Sequence, residues 1–128
     1  MSFMLDNFSS VSRIQVTEAY LQAIRLIDDR VTPFLGKATT RVLVQCAAKR
    51  VMDEHPTFSF LSIFMKMPYT EVIPSVIHEQ FSAVTVQELV RGLDALLEEC
   101  FAGLRELTGN IIAPPLHDEV ADQLRQLH

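Results

Sequence analysis

The pattern of apolar and polar positions is most regular between residues 85 and 109. Apolar residues recur there at steps of three and four, which is the spacing of one face of an α-helix. Thr85 followed three residues later by Glu88 is typical of a capping box, and Gly109 supplies a residue of the kind that closes many helices. The pattern predicts a helix over about 86–108, roughly 35 Å long at 1.5 Å per residue. Its apolar face comprises Leu89, Val90, Leu93, Leu96, Leu97, Cys100, Phe101, Leu104 and Leu107.

Two further helices are predicted before residue 55. Apolar residues at helical spacing indicate a helix over about 12–31, and we expect Thr32-Pro33 to end it because the residue before proline disfavours helical backbone. A second helix, over about 37–54, carries an apolar band wider than one stripe, so we expect other elements to cover it on more than one side. Residues 1–11 show no clear period and are expected to form a loose arm.

The remaining segments are also predicted to be helical, on weaker signals. Residues 57–67 are too few for periodicity to separate helix from strand, and their length and helical neighbours favour a short helix. Ser75 is a suitable cap for another short helix through Phe81, and the prolines at 114 and 115 suit the first turn of a last amphipathic helix. The chain is therefore predicted to be an all-α, single-domain bundle of four to five helices over 12–128, built around the helix at about 86–108.

Composition supports this fold class and narrows the choice of partners. Hydrophobic residues make up 48% of the chain, tryptophan is absent and there are only 4 glycines, which favours helices over a sheet with many turns. The net charge of −5 argues against nucleic-acid binding, because phosphates require a basic face. Residues 1–66 carry eight Lys and Arg against six Asp and Glu, whereas residues 67–128 carry three against ten. This asymmetry suits pairing within the chain or between subunits, and it also fits two solvated faces.

Neither a secretory signal nor a membrane-spanning segment is evident in the sequence. The first residues lack a basic stretch followed by an apolar run, and no stretch approaches 18 uninterrupted apolar residues. Cys46 and Cys100 each lie within an apolar helical pattern, so buried free thiols are expected rather than a disulfide. These features predict a cytoplasmic protein without membrane insertion.

The sequence contains no pattern that points to catalysis, to a metal or to a cofactor. The four histidines are far apart, and none is paired at the four-residue spacing that places two imidazoles on one metal ion. The acids of the long helix fall opposite its leucines and are expected to form a solvated surface. They are Glu88, Asp94, Glu98, Glu99 and Glu106. We therefore predict no catalytic residue, no metal ligand and no cofactor-binding residue.

The most unusual segment is 58–67, in which large apolar side chains are crowded around a single charge. Phenylalanine and methionine together make adaptable surfaces that bind partner helices or apolar ligands, although the pattern somewhat favours a simple role in the core. The candidate interface or pocket residues are Phe58, Phe60, Leu61, Phe64, Met65, Met67 and Phe81.

These features predict a non-enzymatic regulatory or protein-interaction module. We expect it to form a homodimer, with residues 58–67 and part of the long helix as the contact surface; a different protein partner is also compatible. The alternative is a sensor or carrier that binds an apolar ligand or haem in a pocket inside the bundle, with His78 as the haem ligand. The lining of that pocket would include Tyr20, Phe60, Phe64, Met65 and Phe81.

Overall fold

A computed structural model describes residues 13–66, 84–109 and 111–125, and every regular element in these ranges is helical. The predicted all-α bundle is therefore confirmed. None of the helices in these ranges combines the length and the apolar character needed to cross a bilayer. The expectations for residues 1–11, for the short helix at Ser75–Phe81 and for His78 lie outside the described residues. The elements are α1 (Arg13–Leu35), α2 (Lys37–Glu54), a 3₁₀ helix (Pro56–Ser62), α3 (Ile63–Lys66), α4 (Val86–Thr108) and α5 (Ala113–Arg125).

The central helix α4 begins and ends as its sequence predicts. The Thr85 side chain accepts a hydrogen bond from the Glu88 backbone N–H at 3.1 Å, and Gly109 closes the helix with φ 68°. α4 packs against α1, α2, the 3₁₀ helix and α5, and its apolar face is buried among them. Leu107 is the exception on this face, because its side chain remains largely exposed at the end of the helix.

The turn between α1 and α2 and the turn between α4 and α5 lie at the same end of the bundle, because two pairs of helices are antiparallel. α2 runs antiparallel to α4, since Leu43 lies against Gly103 and Arg50 lies near Glu99. α1 runs antiparallel to α5, since Arg30 bonds to Glu119, whereas Gln22, earlier in α1, bonds to Gln123, later in α5. The turn at Gly36 and the turn at Gly109 therefore meet at the same end. We call residues 34–42, 106–109 and 111–116 the hairpin end.

The predicted end of the first helix is wrong by one turn. α1 continues through Pro33 to Leu35 and is closed by Gly36, which adopts φ 87° and donates its N–H to the Thr32 carbonyl at 2.8 Å. A proline in the last turn removes only one intrahelical hydrogen bond, and the Thr32 hydroxyl bonds to the Asp28 carboxylate at 3.0 Å in the same turn. The local preference against helix before proline is therefore outweighed at this position.

The segment predicted as a short helix covers the N-terminal half of α4. It is helical, as a 3₁₀ helix followed by α3, and the rings of Phe58 and Phe60 meet edge to face with centroids 6.0 Å apart. The Phe60 ring lies so close to Gly92 that a Cβ atom on residue 92 would approach the ring to 2.5 Å. Gly92 thus gives the 3₁₀ helix room to close over α4.

The N-terminal cap of α4 is directly testable. We expect Thr85→Ala to lower the free energy of unfolding by about 1 kcal/mol, because the Glu88 N–H loses its acceptor. Thr85→Ser keeps the hydroxyl and is the matched control, with no loss of stability expected, because serine caps helices at least as well as threonine. Urea denaturation measures both. Equal stability of the alanine variant and the wild type would show that the cap contributes nothing.

Candidate interaction surface

Large apolar side chains remain exposed mainly at the hairpin end. Among the described residues five are exposed, and four of these belong to the hairpin end as defined above. Monomeric soluble proteins scatter such residues singly, so a group of them at one end of a bundle indicates a contact surface. The four are Phe34 (68% exposed), Val42 (52%), Leu107 (55%) and Ile111 (82%), and the fifth is Met65 (40%).

Val42 and Leu107 border a groove between α2 and α4, which we call the α2–α4 groove. Its volume is about 230 Å³. On α2 its residues follow helical steps of three and four, so one edge of the helix faces the groove. At its far end the Arg50 Nη1 and Glu99 Oε2 atoms lie 3.8 Å apart. The lining residues are Thr39, Val42, Leu43, Cys46, Ala47, Arg50, Glu99, Gly103, Glu106 and Leu107.

Phe34 and Ile111 border a second opening, the α1–α5 cleft, of about 310 Å³. An ion pair closes one side of it: the Arg30 guanidinium donates three hydrogen bonds of 3.0 to 3.2 Å to the Glu119 carboxylate. These hydrogen bonds raise the pKa of Arg30 and lower the pKa of Glu119. The two charges in this cleft therefore satisfy each other. The remaining lining residues are Ile112, Pro115 and Leu116.

The candidates from residues 58–67 mainly serve the interior of the bundle. Leu61 and Phe64 are buried, whereas Phe58 and Phe60 are half-buried against the core. Met65 is exposed, and Met67 and Phe81 lie outside the described residues. The structure brings Phe58 and Phe60 together over α4, but none of the described candidates lines the α2–α4 groove or the α1–α5 cleft. Their use as an interface or as a pocket lining stays a prediction.

Sequence periodicity did not identify the residues that border the two openings. It shows which residues share one face of a helix, but not whether another element covers that face. Val42 belongs to the apolar band of the 37–54 helix and Leu107 to the apolar face of the 86–108 helix, so the pattern predicts that both are buried. Cys46 was also expected to be buried, but it is exposed beside the groove, whereas Cys100 lies in the core. Burial, with a smaller contribution from the charge of Glu99, raises the pKa of the Cys100 thiol to about 12. The unusually wide apolar band of α2 was the one sequence signal of this surface.

The acids of α4 do not all lie in solvent, which corrects the expectation for Asp94. Asp94 is buried, at 8% exposure, because α1 places the fully buried ring of Tyr20 near it. Burial, and then the nearby Asp94 charge, raises the pKa of the Tyr20 hydroxyl. None of the described residues forms a hydrogen bond with that hydroxyl. The ring of Tyr20 therefore stabilises the core, whereas its hydroxyl adds an unsatisfied polar group.

Removal of the Tyr20 hydroxyl tests this interpretation. We expect Tyr20→Phe to leave the free energy of unfolding unchanged or to raise it by about 1 kcal/mol, since a buried hydroxyl without a partner is costly. Tyr20→Leu, which also removes the ring, is the comparison and should destabilise the fold. Thermal or urea denaturation measures both. A clear loss of stability in Tyr20→Phe would mean that the hydroxyl has a stabilising partner.

The contact between α4 and α5 gives a pH-dependent prediction. The His117 ring meets Phe101 edge to face at 5.1 Å, and burial lowers the pKa of His117 below its ordinary value of 6.5. Protonation therefore favours the unfolded chain, so this contribution to stability is present above pH 6.5 and is lost as the pH falls through the lowered pKa. We expect His117→Gln to remove that part of the pH dependence of unfolding, with the exposed His55→Gln as control. Parallel pH profiles of wild type and His117→Gln would contradict this.

The chemistry of the described residues does not identify a reaction. In the described ranges no three His, Cys, Asp or Glu side chains come close enough together to hold a metal ion. No protein-family model matches the chain, and no curated protein or solved structure is similar to it. The most distinctive feature of the described residues is therefore the exposed apolar surface at the hairpin end.

Proposed function

We propose that this chain is a non-enzymatic, regulatory protein-interaction module that self-associates through the hairpin end. The observation that carries the proposal is the exposure of Phe34, Val42, Leu107 and Ile111 at that one end of the bundle. Part of the contact surface thus comes from the long helix α4. The described candidates Phe58, Phe60, Leu61 and Phe64 contribute mainly to the core.

The energetic argument is the hydrophobic effect. Apolar surface removed from water contributes about 25 cal/mol per Å². These four large side chains are half or more exposed, so burying them against a partner would stabilise the complex. Most of the lining of both openings beside them is apolar. A partner surface that covers this end would therefore bind mainly by burying apolar area, and two-fold self-association is the commonest way to do so.

The second function considered, binding of an apolar ligand or haem inside the bundle, has less support. Two of its proposed lining residues, Tyr20 and Phe64, are fully packed within the described core.

The exposed thiol of Cys46 favours a reducing compartment, and we accordingly propose a cytoplasmic location.

Replacement of the four exposed side chains tests the proposal. We expect the solution mass of the wild type, measured by light scattering, to fall from dimer to monomer on dilution. A combined Phe34→Gln, Val42→Gln, Leu107→Gln and Ile111→Gln variant should be monomeric at every concentration, because glutamine removes the apolar surface but keeps side-chain length.

The matched control is Met65→Gln, which changes the exposed apolar residue outside the hairpin end. It should self-associate like the wild type, and circular dichroism should show the same helix content in all three proteins. A wild type that is monomeric at the highest concentration would overturn the proposal. So would a fourfold variant that dimerises as tightly as the wild type.

A further inference from the structure

The two openings at the hairpin end differ in how their charges are used. In the α1–α5 cleft Arg30 and Glu119 are joined by three short hydrogen bonds. In the α2–α4 groove Arg50 and Glu99 share only a 3.8 Å contact, and their side chains are 52% and 28% exposed. The charges of the groove thus remain accessible to a partner that presents the opposite sign.

The signs of these charges are segregated by helix. The charged residue that α2 contributes to the groove is the basic Arg50. The charged residues that α4 contributes are the acids Glu99 and Glu106. One wall of the groove is therefore basic and the other acidic, so the groove is electrostatically complementary to a copy of itself.

We propose that the partner is a second copy of this chain, docked so that α2 of each copy lies over α4 of the other. This inference rests on the proposed function and narrows its contact surface to the α2–α4 groove, which Val42 and Leu107 border, so Phe34 and Ile111 of the α1–α5 cleft lie outside the contact. A two-fold axis parallel to the groove keeps each residue at its own height along the groove. Within one copy Arg50 lies opposite Glu99, at one height along the groove. Val42 and Leu107 border the groove nearer the hairpin end. Because the axis preserves height, each of these pairs also forms between the two copies. Arg50 then faces the partner's Glu99, and Val42 faces the partner's Leu107.

The other two-fold arrangement is disfavoured by the same charges. An axis across the groove would lay α4 on the partner's α4 and bring Glu99 toward the partner's Glu106. Like charges at an interface are destabilising and serve to reject wrong geometries. The charge pattern therefore selects the arrangement in which α2 contacts α4.

The shape of the surface permits this contact and limits its strength. Cys46 is a small, exposed residue on the α2 wall, so a helix of the second copy can approach this wall closely. α2 has 18 residues, and two adjacent helices of this length present about 500 Å² on each copy. The total, about 1,000 Å², lies at the low end for specific interfaces. We expect a dimer that dissociates at micromolar concentrations.

The experiment compares dissociation constants by sedimentation equilibrium. Val42→Glu should weaken the dimer by about a hundredfold, since the two-fold axis places the change in the interface twice. Glu99→Lys should weaken it by about tenfold, because a lysine then faces the partner's Arg50. The matched controls are Phe34→Glu and Ile111→Glu, which introduce the same charge at residues of the α1–α5 cleft that are more exposed than Val42, and they should change the constant by less than about twofold.

The outcomes separate this inference from the proposed function. A wild type that is monomeric throughout overturns both. A dimer that is unaffected by Val42→Glu but is dissociated by Phe34→Glu overturns the groove and leaves the hairpin end as the contact surface. A dimer that is tightened by Glu99→Lys shows acidic helices facing each other and overturns the proposed geometry. Unchanged helix content confirms that each variant, altered at an exposed or half-exposed position, is still folded.

Discussion

Burial of the apolar face of α4 is the constraint on which the rest of the structure depends. Four other elements pack against this one helix, and its leucines occupy the centre of the core. α4 has 23 residues and is amphipathic. Most of the stability of such a helix in a protein comes from the packing of its apolar face against other elements, so α4 depends on its neighbours. The 3₁₀ helix closes over Gly92 in the N-terminal half of α4, and α2 lies antiparallel along the C-terminal half. α1 and α5 complete the core.

The surface at the hairpin end follows from the way this burial is achieved. The turns at Gly36 and Gly109 bring four helix ends together, and helix ends are harder to cover with neighbouring side chains than helix centres. Leu107 lies in the last turn of α4, next to Val42 in the α2–α4 groove, and both remain exposed. Among the described residues, the large apolar side chains that the bundle leaves exposed are thus mostly at this end, and a second copy is the covering element that we propose for the α2–α4 groove.

Sequence periodicity identified α4 within a residue at both ends, because its capping residues and apolar steps agree. It failed for the end of α1, where tertiary context tolerates Pro33 in the last helical turn. It also assigned Asp94 to solvent and Leu107 to the core, and both assignments are reversed. A face is a property of one helix, whereas burial depends on where the neighbouring helices begin and end, so the exposed apolar residues at the hairpin end could not be derived from the pattern alone.

The most direct test of the account is amide hydrogen exchange measured at low and at high protein concentration. Amides in the centre of α4 should be the slowest to exchange at both concentrations, since they open only when the bundle unfolds. Raising the concentration should slow the faster amides beside the α2–α4 groove, in residues 38–50 and 99–109, more than those in 113–125. An equal slowing in all helices, a slowing confined to 113–125, or fast exchange in the centre of α4 would contradict it.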